Sequence, residues 1–183
     1  ILGKYGPKEI VGVEVQEEIT EMANRSVILN QVEDKIKFIN RNLKDVEFLK
    51  QLGRFDALTV NPPYKINNSG IINPSDGLAI ARHEILCDLE DVLRESSRIL
   101  KTHGRFYMVH RPFRLAEILG KMSEYRLEPK RMRLVYPYID KEPNMVLIEG
   151  LKDGRARMTV EKPLIVYREP GVYMPEIYDI YGY

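Results

Sequence analysis

The sequence predicts an α/β protein with a mostly parallel central sheet, helices on both faces, and an antiparallel pair of strands at its C-terminal edge. Three observations predict it. Short apolar runs alternate with segments of helical period through residues 10–123, the pattern that builds a parallel sheet from crossover connections. Two further extended runs, 127–136 and 144–151, follow each other with no helix between them. Strands joined without a crossover pair antiparallel. Finally, 183 residues with 44% hydrophobic and 30% charged content suffice for one domain with a real core and exclude a disordered chain.

Taken in order, residues 1–9 read as a helix end and turn, stopped by Gly3 and Gly6-Pro7. Ile10–Val15 is nearly continuous in apolar residues, as a strand covered on both faces would be. Gln16–Leu29 follows as a helix with Ile19, Met22, Ala23, Ser26 and Val27 on one face, and Asn30 suits its end. Ile36–Ile39 is a short strand, 40–44 a loop, Val46–Leu52 a short helix closed by Gly53, and Phe55–Val60 a buried strand. Residues 65–81, rich in Asn, Ser, Gly and Pro, form a long polar loop of the kind that usually carries function. A helix is expected over 81–101, a strand over 105–109, a corner at His110-Arg111-Pro112, and a helix over 113–123. Residues 163–183, with three prolines and five tyrosines, read as an ordered arm packed on the body.

The informative stretch is Asn61-Pro62-Pro63-Tyr64, directly after the 55–60 strand. Neither proline donates a backbone hydrogen bond, and each holds the residue before it extended. A stiff corner therefore stands at the C-terminal end of a strand, where open α/β sheets place their ligands. It offers an amide, a carbonyl that no helix consumes, and an aromatic ring. An aromatic amino group such as N6 of adenine is a poor nucleophile because its lone pair is delocalised. Two acceptors, the Asn61 side-chain oxygen and the Pro62 carbonyl, would take its two N–H bonds and localise that lone pair. Tyr64 would stack on the base, a contact worth about 1–3 kcal/mol.

Composition narrows the setting. No apolar run approaches the 18 residues of a membrane span. The one cysteine, Cys87, and three scattered histidines give no metal-ligand spacing and no internal disulfide. A cytoplasmic, metal-free protein is expected, as a monomer or weak dimer. Net charge is +1, but residues 121–168 carry 11 Lys and Arg against 7 Asp and Glu. Lys130, Arg131 and Arg133 lie close together in that excess, as either a phosphate-contacting patch or a solvated face.

Residues 61–64 match at every position the motif of the amino-methylating, class I S-adenosylmethionine-dependent methyltransferases. With Gly12-Val13-Glu14-Val15-Gln16, Ala81-Arg82-His83-Glu84, His110-Arg111-Pro112 and Tyr125–Arg131, almost the whole chain resembles the bacterial tRNA1(Val) adenine-N6 methyltransferase family. The resemblance implies a Rossmann-like fold, S-adenosylmethionine as donor, and tRNA as partner, with an adenine beside the anticodon of a valine tRNA as acceptor. Carried onto this sequence, it implies Asn61, Pro62 and Tyr64 as catalytic residues. Glu14 and Val15, at the end of a strand, would meet the cofactor's ribose, with Asn42, Leu43 and Asn61 also in the cofactor site. The family often has Asp where this chain has Asn42. Arg82, His83, Arg111, Lys130, Arg131 and Arg133 are expected against RNA. The Gly-rich turn that such a sheet needs does not appear before Glu14, so residues 1–183 are expected to be one domain that begins downstream of it. The same corner would serve a DNA adenine, a guanine N2 or a protein glutamine. A non-catalytic RNA-binding module is the reading from a different class.

Overall fold

A computed structural model describes residues 6–62, 64 and 87–182, in two compact units, 1–49 and 50–183. In the first, strand β1 (Ile10–Glu14) is followed by helix α1 (Glu17–Leu29) and strand β2 (Ile36–Asn40). The strands pair in parallel with Glu14 opposite Asn40. The buried face of α1 differs from the expected one. Thr20 and Val27 are buried, while Ile19 and Met22 stay exposed. Asn24 explains the rotation, because its amide bonds both the N–H and the C=O of Phe38, each at 3.2 Å. Those two groups would otherwise stand unpaired on an edge strand, and edges are commonly blunted by cover of this kind. Helix α2 (Val46–Leu52) spans the boundary between the units.

The second unit begins with strand β3 (Phe55–Val60), followed by helix α3 (Leu89–Ile99) and strand β4 (Leu100–His110). Next come a 3-10 turn at Pro112–Arg114, helix α4 (Leu115–Glu124), and strands β5 (Leu127–Tyr136) and β6 (Met145–Lys152). Short strands β7 (Thr159–Val160) and β8 (Leu164–Ile165), the hairpin of β9 (Tyr167–Glu169) and β10 (Val172–Tyr173), and helix α5 (Pro175–Tyr181) complete it. The sheet order is β3-β4-β6-β5-β7, with β8 also on β5. β3 runs parallel to β4, whereas β6 is antiparallel to both neighbours, as two strands without an intervening helix require.

Helix α3 starts later than its apolar period suggests. The Asp88 side chain accepts from the Asp91 N–H at 2.7 Å and Asp91 reaches back to the Asp88 N–H, a capping box that opens the helix at Leu89. Residues 81–86 of the expected helix lie outside the described residues. Leu100–Thr102 are extended rather than helical, because Leu100 pairs with Phe55 and buries its side chain completely. Leu89 and Leu93 of α3 and Ile118 and Met122 of α4 join Phe106, Met108, Val146 and Ile148 in one core. Both helices therefore cover the same face of the sheet, and alternation turns Tyr107, Val109 and Leu147 to the other. Among the described residues, no helix is long and apolar enough to cross a membrane.

Two glycines report how tightly this unit is built. A Cβ on Gly104 would lie 2.8 Å from the Lys101 carbonyl oxygen and 3.2 Å from that of Phe55, both backbone atoms. A Cβ on Gly120, exposed on α4, would meet nothing within 4 Å. Gly104→Ala should destabilise the protein by about 1–3 kcal/mol, and Gly120→Ala should stabilise it by about 0.5–1 kcal/mol through helix propensity and reduced unfolded-state entropy. Denaturant midpoints of the two variants should move in opposite directions.

Candidate active site

Because β3 and β4 are parallel, with Val60 opposite Met108, their C-terminal ends reach one rim. Asn61 is exposed there, Pro62 is buried, and Tyr64 is half-buried. The Tyr64 hydroxyl donates to Asn61 Oδ1. This turns the amide oxygen, rather than its nitrogen, toward the ring. A carbonyl oxygen has two acceptor positions, so one remains for a further donor. Pro63 lies outside the described residues.

The end of β4 builds the other half of the rim. His110 is fully buried, and its Nδ1 accepts the Arg111 backbone N–H at 2.7 Å. That bond assigns the ring hydrogen to Nε2 in the neutral form. The imidazole meets Tyr64 edge-on, with centroids 5.2 Å apart and planes at 70°. The Arg111 guanidinium lies 5.0 Å from the Tyr64 centroid, a contact worth about 0.5–1 kcal/mol where partly exposed. Arg111 Nη1 also donates to the main-chain oxygen of Asn144 at 2.9 Å. Among the described residues, no group of three or more His, Cys, Asp or Glu side chains is placed to hold a metal ion.

The sheet face opposite α3 and α4 carries a cleft of about 550 Å³ that includes Thr59, Asn61, Tyr107, Arg131 and Glu149 in its lining. Register explains the row: Thr59 stands opposite Tyr107, Tyr107 opposite Glu149, and Glu149 opposite Arg131. Glu149 is buried and accepts from both Arg105 and Arg131. Arg131 also pairs with Glu161 at 2.9 Å. Its bond to Glu149 holds it protonated more firmly than usual. Arg133 pairs with Glu176 of α5 at 2.7 Å and donates to the Lys162 carbonyl at 2.9 Å. Lys130 Nζ donates to the Arg155 carbonyl at 2.7 Å. The basic cluster of the sequence is thus fastened to internal acceptors. Arg82 and His83 lie outside the described residues.

In the first unit the expected cofactor residues gather at the C-terminal ends of β1 and β2. The Glu14 carboxylate accepts the Gln16 N–H at 2.9 Å through one oxygen, which orients it and leaves acceptor capacity on the other. Asn40 was not among the expected site residues, yet it braces this end: its Nδ2 donates to the carbonyls of Glu14 and Val15, each at 3.0 Å. An amide at the end of the strand beside an acidic strand end was the available signal. Asn42 Oδ1 accepts the Lys44 N–H at 2.8 Å; Asn42 and Leu43 beside it are half-buried.

Comparison with known proteins fits this geometry. A protein of Porphyromonas gingivalis called tRNA1(Val) (adenine(37)-N6)-methyltransferase is 26% identical over 177 residues, covering 94% of this chain and 69% of its own length. One of the same name from Parabacteroides distasonis is 34% identical over 97 residues, 52% of this chain and 40% of that one. No family model matches. Among solved structures, a predicted O-methyltransferase from Agrobacterium tumefaciens superposes with a TM-score of 0.71 at 23% identity, covering 95% of this chain and 77% of that one. Geranyl diphosphate C-methyltransferase from Streptomyces coelicolor, solved with S-adenosyl-L-homocysteine, gives 0.55 at 17%, covering 79% and 63%. The chain has the Rossmann-like class I methyltransferase fold.

The pairing of Arg133 makes a structural prediction. Arg133→Ala removes the bonds that tie α5 and the 162–163 backbone to β5, and should destabilise the protein by about 1–3 kcal/mol. Limited proteolysis should then cut first beyond residue 161. An unchanged cleavage pattern and denaturant midpoint would show that the arm is held by other contacts.

Proposed function

We propose that this chain is an S-adenosylmethionine-dependent methyltransferase that modifies the N6 amino group of an adenine in tRNA, beside the anticodon of a valine tRNA. The observation that carries the reading is the corner at the end of β3. There Asn61 keeps an acceptor position open beside an aromatic ring, on a methyltransferase fold. The shared name of the relatives supports tRNA as the acceptor class.

Each residue then has a task. Asn61 Oδ1 and the Pro62 carbonyl accept the two N–H bonds of the amino group. The nitrogen is drawn toward tetrahedral geometry and its lone pair is aimed along one direction. Tyr64 stacks on the base, and the proline-stiffened backbone holds these groups in place before the base arrives. Preorganisation of this kind accounts for several kcal/mol of barrier in favourable cases. The proton shed by the methylated nitrogen passes to water, since its acidity rises as positive charge develops. An anticodon loop presents unstacked bases, so extruding one costs less than it would from a duplex.

The cofactor residues fit their group. A carboxylate at the end of β1, oriented by the Gln16 N–H, suits the paired hydroxyls of a ribose. Asn42 has amide N–H groups for an adenine edge, with Leu43 against the ring. S-adenosylmethionine supplies an electrophilic methyl group when bound. Glu14, Val15, Asn42 and Leu43 serve to hold and orient it.

The reading is tested by incubating the full-length protein with labelled S-adenosylmethionine and unmodified total tRNA, then identifying the labelled nucleoside. N6-methyladenosine is expected. Cofactor binding without label in tRNA would move the acceptor to DNA, ribosomal RNA or protein. Absence of both would favour the non-catalytic RNA-binding module. Asn61→Ala should lower the transfer rate on the order of 10²-fold or more with an unchanged melting temperature. Tyr64→Ala should impair transfer far more than cofactor affinity. Tyr64→Phe, which keeps the ring and loses the bond to Asn61, should fall between Tyr64→Ala and the parent protein.

A further inference from the structure

Arg111 is the cation at the rim expected to meet RNA phosphate, and its surroundings give it a different task. Its guanidinium is held at two points. Nη1 donates to the Asn144 main-chain oxygen at 2.9 Å, and the group lies 5.0 Å from the Tyr64 ring centroid. The first anchor is itself fixed, because the Asn144 N–H donates to the Val135 carbonyl at 3.0 Å in the β5–β6 connection. The Tyr64 hydroxyl is bound to Asn61, and His110 meets the ring edge-on at 5.2 Å. A planar guanidinium stacks on an aromatic face while its edge still donates hydrogen bonds, which a lysine ammonium cannot do.

We propose that Arg111 is a positioning residue for the transfer reaction: its guanidinium packs against one face of Tyr64, so that the acceptor base would stack on the other, and it keeps the hydroxyl on Asn61. The inference rests on the function proposed above. Arg111 acts through Tyr64, so it governs turnover rather than affinity for RNA.

The test is Arg111→Gln in the full-length protein, alone and combined with Tyr64→Ala, under single-turnover conditions with unmodified tRNA. Arg111→Gln is expected to lower the transfer rate about tenfold. The tRNA Kd, its salt dependence and the KM for S-adenosylmethionine should stay within about twofold. In the Tyr64→Ala background the same change is expected to cost nothing further, as groups acting as one unit are non-additive. A tenfold weaker tRNA Kd with the salt slope reduced by about one would overturn the proposal in favour of a phosphate contact. So would a full loss of rate that persists without Tyr64.

A second readout separates this inference from the function it rests on. With tyrosine ring carbons labelled for NMR and the Tyr64 signal assigned through Tyr64→Phe, Arg111→Gln should shift that signal. If the parent protein methylates no nucleic acid, the proposed function fails, and an unmoved Tyr64 signal would overturn the positioning role as well. Arg111→Lys, which keeps the charge and the aliphatic stem, replaces Arg111→Gln should the latter lose the fold.

Discussion

The parallel pairing of Phe55–Val60 with Leu100–His110 is what the rest of the second unit depends on. Parallel strands end on the same side, so a corner after one and a corner after the other become neighbours, although 49 residues separate Asn61 from His110 in number. That pairing rests on the single core beneath it, where Phe106 and Met108 of one strand meet the leucines of α3 and the Ile118–Met122 face of α4. Gly104 belongs to the same arrangement. The backbones of Phe55 and Lys101 approach it too closely for any side chain, and this lets the two strands enter register just after the left-handed turn at His103.

Charge on this unit is arranged for packing more than for attraction. A carboxylate buried in a sheet face needs compensation, and Glu149 draws guanidiniums from both sides, Arg105 and Arg131. Arg133 reaches past β5 to the arm. Counting cations along residues 121–168 gives an excess, but a count carries no information about partners, and those of Arg131 and Arg133 come from β6, the 161–163 segment and α5. An exposed ion pair contributes about 0–1 kcal/mol, so the value of these pairs lies in satisfying Glu149 and fixing the arm.

Much of the fold was legible because it follows from periodicity. The alternation of strands and helices, the final pair without a helix, and the corner at Asn61 all rest on local pattern. What was not legible depended on contacts between distant residues. The α1 face is turned by Asn24 reaching Phe38, fourteen residues away. The start of α3 was in plain view as Asp88 and Asp91, yet the apolar period extended past it and outweighed a two-residue cap. Leu100 has ordinary helical propensity and is drawn into the strand by Phe55. At the rim, Asn61 and Tyr64 were readable from type and order, whereas the tie from Arg111 to Asn144 uses a main-chain oxygen, which no side-chain pattern encodes.

The similar structures, at 17–23% identity, share the fold with this chain and carry nothing about its acceptor. Under the function proposed above, the acceptor would be chosen by the few groups at the strand ends. An amino group brings two hydrogens, and the proposed corner would take both. Asn61 Oδ1 already accepts from Tyr64, so it has one position left, and the second hydrogen needs another atom. In that proposal the Pro62 carbonyl supplies it, because a proline next in sequence disfavours helical geometry at Pro62. Asn61 Oδ1 and the Pro62 carbonyl would thus offer one acceptor atom to each hydrogen. A hydroxyl or a carbon acceptor would leave at least one of these atoms without its donor from the substrate. Under the function proposed above, the corner would therefore suit an NH2 group before any contact with the rest of the base is made.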